Sequence, residues 1–190
     1  PGNITVSIDG KTYTVSNGQT IKVPAGFVNV TVLTLQANYT GYESEGIIQH
    51  YEYSSMQYQG KTIYTYSALI FVPPSATQTL NINYINDYNY YLVTIIGYNI
   101  PQGYFVSIGT VEYPYNNSYW IIGGNYSFGI LYPPLNPGGP ACVPDKVIFS
   151  YSNGTTDTYT FPFLPTYVVI DQPMTIEVYY EVVGTYQPLP

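Results

Sequence analysis

The sequence predicts an all-β fold, a sandwich or a barrel, and three observations predict it. Short runs rich in Val, Ile, Thr and Tyr alternate apolar with polar residues throughout the chain, which is the period of a half-buried strand. No apolar pattern of period 3.6 persists for a dozen residues, so no amphipathic helix competes with that reading. Turn dipeptides punctuate the runs: Asp9-Gly10, Asn17-Gly18, Gln59-Gly60, Pro73-Pro74, Gln102-Gly103, Gly123-Gly124 and Asn153-Gly154 are the chemistry of tight reversals.

Taken in order, the predicted strands cover residues 4–8, 12–16, 27–36, 47–58, 62–72, 79–85, 90–98, 104–113, 126–132, 147–151, 156–163 and 175–183. Many short strands at this spacing build a sandwich or barrel. The segment 133–144 (PPLNPGGPACVP) reads as a break in regular structure. We take it as an ordered loop over the sandwich edge, with a hinge between two halves as the alternative. A chain of 190 residues can bury one good core, so one compact body is expected.

Charged residues make up 8% of the chain, against roughly 25% in an ordinary soluble domain. The surface must therefore be polar without being ionic. The 25 tyrosines fill that role, because each offers a ring to pack and a hydroxyl that stays neutral below a pKa of about 10. The formal net charge is -7 at neutral pH, and the four cations, Lys11, Lys22, Lys61 and Lys146, are scattered. Phosphate binding needs clustered Lys or Arg, so nucleic acid is excluded as a partner. Around pH 2 to 3 the carboxylates protonate, and four lysines and one histidine leave a formal charge of about +5. With few ion pairs to lose, the fold is expected to tolerate acid.

Cys142 is the single cysteine, which excludes an internal disulfide and a multi-thiolate zinc site. The chain starts at Pro1 and has no apolar run long enough for a membrane helix, so it reads as a mature, exported or truncated product with no membrane span. The long apolar N-terminal helix of type IV pilins and archaellins is not in this sequence.

Glycosylation sequons, Asn-x-Ser/Thr, occur at Asn3, Asn29, Asn38, Asn116, Asn125 and Asn153, six of fourteen asparagines, where Ser and Thr frequency alone gives about two or three. In Val28-Asn29-Val30-Thr31-Val32 the valines alternate with Asn and Thr, so inward valines put the asparagine outside. Covalent N-linked glycans are thus expected, and no other cofactor.

The N-terminal run NITVSI carries Ile4, Val6 and Ile8 on one face and Asn3, Thr5 and Ser7 on the other. Such a strand can complete a neighbour's sheet by donor-strand complementation, with the three apolar side chains filling pockets. That burial is worth about 5 to 8 kcal/mol before ordering costs, and a head-to-tail contact that does not close generates a filament. The alternative is a local hairpin through Asp9-Gly10, placing Val6 opposite Tyr13 and Ile4 opposite Val15. A C-terminal donor, with Ile176, Val178, Tyr180 and Val182 on one face, is a third option.

The catalytic inventory is thin, and no enzyme is expected. His50 is alone, so no histidine cluster can hold a metal. No nucleophile elbow or phosphate-cradling loop occurs. Glu43 and Glu45 sit in the polar stretch GYESEG and read as a solvated loop. An acid-active hydrolase would have to draw on Glu43, Glu45 or Asp87.

A tyrosine-rich, arginine-free, lysine-poor chain with crowded sequons resembles the surface proteins of heat- and acid-loving archaea of the Sulfolobales group. With the alternating strand NITVSI and an all-β body, it is similar to the thread pilins. That resemblance implies an immunoglobulin-like or pilin-like β-sandwich head over residues 11–190 and an N-terminal donor-strand tail over residues 1–10. It implies Ile4, Val6 and Ile8 as donor side chains and the six sequon asparagines as glycan sites. It also implies an extracellular pilus-type filament of identical subunits, in contact with neighbouring filaments or surfaces through glycans and supporting adhesion or biofilm formation. The reading from another class is a surface-layer or carbohydrate-binding β-sandwich domain that does not exchange strands, with Tyr115, Tyr119 and Trp120 as a sugar-stacking platform.

Overall fold

A computed structural model describes residues 2–100, 103–131, 137–185 and 187 of the chain. Sixteen strands are described, with one short 3-10 turn at Glu43–Glu45. They form two compact units, one of residues 1–42 and 48–89, the other of residues 43–47 and 90–190. The sequence reading expected a tail over 1–10 and one head over 11–190; here residues 4–8 form a strand of the first unit. Two separate sets of buried apolar side chains form, one in each unit.

The first unit opens with β1 (Ile4–Ile8) and β2 (Lys11–Val15). Val6 lies opposite Tyr13 and Ile4 opposite Val15, the register of the local hairpin. Asp9 and Gly10 both have positive φ, 48° and 81°, as a two-residue type I′ turn demands. The other edge of β1 pairs with β3 (Gly26–Val32), Val6 opposite Val32 and Ile8 opposite Val30, and β3 pairs with β7 (Ser67–Val72). Facing this sheet are β4 (Gln36–Tyr39), β5 (Ile47–Tyr58), β6 (Lys61–Ile63) and the first half of β8 (Leu80–Tyr98). Val28, Val30, Val32 and Ile70 meet Met56 and Tyr58 in a core of their own.

The second unit sets one sheet, β10 (Val111–Pro114), β9 (Phe105–Ile108), β12 (Gly124–Leu131) and β15 (Tyr167–Ile170), against another. The other sheet contains β14 (Thr156–Thr160), β13 (Pro140–Tyr151), β16 (Met174–Thr185) and the second half of β8, on which β11 (Asn117–Ile122) also pairs. β16 runs parallel to β8 and antiparallel to β13. Phe149, only 1% exposed, packs edge-on against Phe128 and Tyr159 at 5.4 Å in each case, in a core with Ile95, Val106, Ile170, Ile176 and Val178.

Several boundaries differ from the sequence reading. Runs expected at 79–85 and 90–98 are one strand, because the polar stretch between them is no turn: the Asn86 side chain donates to the His50 carbonyl at 3.0 Å. The run 104–113 breaks at Gly109, whose φ of 62° places it in a tight reversal between β9 and β10. Residues 140–144, expected in the loop, belong to β13, where register shifts at Ala141/Cys142 and Pro144/Lys146 absorb the ladder irregularity of a proline without an N–H. Residues 133–136 of that loop lie outside the described residues. Strands β11 and β15 were not expected; each is short and starts beside turn-forming or proline residues that mask its alternation.

Candidate functional site

All six sequon asparagines emerge exposed. Asn3 precedes β1, Asn38 lies on β4 and Asn125 on β12. Asn29 sits mid-strand on β3 between buried Val28 and Val30, facing outward as the alternation predicts. Asn116 has a φ of 64° in the connection between β10 and β11, and its Oδ1 accepts the Gly97 N–H at 3.2 Å. At the β13–β14 turn, Asn153 Oδ1 accepts both the Thr155 N–H (2.9 Å) and the Thr155 hydroxyl (2.7 Å). This is an Asx turn that fixes the sequon's conformation locally.

The residues expected to form a donor strand, Ile4, Val6 and Ile8, lie on β1. Within its own chain β1 is hydrogen-bonded along both edges, by β2 and by β3, and Val6 is 3% exposed. Hydrogen bonds from the Leu33 and Thr34 N–H groups to the Thr5 carbonyl continue that pairing beyond the end of β3. Ile4, Val6 and Ile8 thus turn toward the first unit's own core side, and the type I′ turn is what brings them there. In the C-terminal alternative, Ile176 and Val178 are buried on β16 between β13 and β8.

The aromatic platform does not form. Tyr115 is buried, and its hydroxyl meets that of Tyr180 at 3.0 Å. Tyr119 and Trp120 are consecutive on β11 and so face opposite ways. Tyr119 instead packs edge-on against Tyr113 and donates its hydroxyl to the Pro114 carbonyl. Replacing Tyr115 by Phe is expected to cost about 1 kcal/mol, the worth of a typical hydrogen bond; urea unfolding of the variant checks it.

Sequence reasoning missed a polar cluster in the first unit. His50, on β5, places Nδ1 2.6 Å from an Asp87 carboxylate oxygen and stacks at 4.3 Å, nearly parallel, on the Tyr88 ring. Nothing in the run signalled it: Glu52, two residues along on the same face, is exposed, and Asp87 lies 37 positions away on β8. The pair joins a carboxylate to an imidazole. Among the described residues no group of three or more His, Cys, Asp and Glu converges as a metal site. Glu43 and Glu45 lie exposed in their 3-10 turn, and Cys142 is buried.

Titration follows from these placements. Partial burial of Asp87 works against its charged form, yet the hydrogen bond and charge of His50, with backbone N–H donors, outweigh it and hold the carboxyl below the usual range. Its folded pKa is lowered, so its contribution to stability is present above about pH 4 and is lost as pH falls through the lowered value. Burial, then repulsion from Tyr53, pushes the Tyr84 hydroxyl up to about 12. Burial, then Tyr180, pushes Tyr115 far up. These raised groups contribute stability that is complete below about pH 10 and is lost as pH rises through their folded values. The expected profile is thus a broad plateau with a small loss below pH 4 and a steep loss above pH 10. Melting temperatures taken across pH 2 to 12 check this, and Asp87→Asn should remove most of the acid-side step.

Compared with protein-family models, with curated proteins and with solved structures, the chain has no match. No helix among the described residues is long and apolar enough to cross a membrane.

Proposed function

We propose that this chain is a non-catalytic, glycan-bearing building block of an extracellular surface assembly. The observation that carries the reading is the exposure of every sequon asparagine, three on each unit, on a body whose surface is polar through tyrosine, Ser, Thr and Asn and not through charge. Sugars attached there would coat both units without disturbing either core, and a low-charge surface loses little when carboxylates protonate. Assembly would use contacts that leave β1 in place, because freeing β1 first breaks ladders on both its edges.

This keeps the surface-assembly role that the thread-pilin resemblance implies while setting aside its strand exchange, and joins it to the surface-layer alternative. Negative-stain imaging of the protein purified from its natural source, at acid and at neutral pH, tests the proposal. Repeating arrays or fibres are the expected result. Monodisperse particles at every concentration and pH would contradict it.

A further inference from the structure

An apolar patch lies on the outer face of the first unit's sheet, where solvent would ordinarily meet polar side chains. Phe27 is 71% exposed, Leu69 65% and Phe71 47%, and the two Phe rings meet edge-on at 5.4 Å. Exposed apolar side chains grouped on one face, rather than scattered singly, suit a contact. The strand register shows what stands among them: Phe27 pairs with Phe71, Asn29 with Leu69 and Thr31 with Ser67. Asn29 is therefore on the same face as both rings, two pairs along the ladder, and directly opposite Leu69.

Resting on the glycan-bearing reading above, we infer that the Phe27–Leu69–Phe71 patch is the seat of the N-linked sugar attached to Asn29. The axial C–H bonds of a pyranose make one ring face apolar and slightly positive, which suits the negative face of an aromatic ring. A saccharide fixed to Asn29 is delivered to that surface with most of its translational freedom already removed. The polar side of the site is also arranged. Ser67 Oγ contacts Asn29 Oδ1 at 3.4 Å and the Thr31 hydroxyl at 2.8 Å, so the sequon amide oxygen is held toward the Thr31 end. The aromatic pair flanks the other end. Attachment needs a lipid-phosphate- or lipid-diphosphate-activated saccharide and its transferase. The bond from Asn29 Nδ2 to the sugar C1 forms as the C1–O bond breaks, the lipid phosphate leaves with the electron pair, and Nδ2 gives up one proton.

The test compares full-length protein from a glycosylating source with the same chain made without glycosylation. Each is studied as wild type, Asn29→Gln and the double variant Phe27→Ser, Phe71→Ser. Glycopeptide mass spectrometry should find Asn29 occupied. The glycan should raise the first unit's melting temperature by about 4 °C or more, the scale of one kilocalorie in a small domain. Asn29→Gln should lose that increment, and so should the double variant even though its Asn29 remains occupied. Nuclear Overhauser contacts between sugar C–H protons and the Phe rings give a second readout that needs no variant. Occupancy at other sequons with Asn29 empty would overturn this inference alone, as would an increment that survives in the double variant. No sugar at any of the six sites would overturn both the inference and the glycan-bearing reading beneath it.

Discussion

Deleting residues 1–10 is expected to unfold the first unit. The deletion removes Val6 from a fully buried position, takes half-buried Ile4 and Ile8 with it, and strips the ladders on both edges of β1. The apolar loss alone is about 5 kcal/mol, and the hydrogen bonds left unmade on β3 add to it. Domain stabilities are about 5 to 15 kcal/mol, so most or all of the unit's stability goes. A strand-donor tail would behave oppositely: its removal would leave a folded, soluble head that no longer polymerises. Far-ultraviolet circular dichroism and hydrogen exchange on the truncated protein separate the two. Protection lost across β2, β3 and β7 is the result expected here. A milder variant, Val6→Ala, should cost about 2 to 3 kcal/mol through the cavity it leaves.

The second unit's most sensitive position is Phe149. It sits mid-strand on β13, with β14 on one side and β16 on the other, and its ring is wedged between Phe128 and Tyr159. Phe149→Ala is expected to destabilise by about 3 to 5 kcal/mol, the transfer free energy of the ring plus an unfilled cavity. Phe149→Leu should cost substantially less, because it keeps most of the volume. Urea unfolding checks both: the midpoint should shift while the slope stays constant, as it does when stability alone changes.

Much of this fold was legible in the sequence because its strands obey period 2. The run Val28 to Val32 placed its valines inward and Asn29 outward, and Asp9-Gly10 fixed both a turn type and the register of β1 on β2. Strict alternation says which face is buried, but not which partner strand lies beside it. For that reason NITVSI suited both a donor and a hairpin, and the register of β1 on β2 is the one the Asp9-Gly10 turn predicts for the hairpin. The long β8 was illegible as one strand because Asn86 and Asp87 look like a turn until β5 supplies a carbonyl and an imidazole to bind them. The division into two units was hidden for the same reason, since its boundary at 89/90 falls inside that strand. Of the site, the sequons were readable as a motif, whereas the Phe27–Phe71 pair joins residues 44 positions apart and needed the β3–β7 register.

Gold-labelled antibody on intact cells of the natural source tests the central claim most directly. The account predicts label confined to a repeating structure outside the cell envelope, on protein that carries sugar on its asparagines. Label inside the cytoplasm, or on dispersed secreted protein without attached sugar, would contradict it.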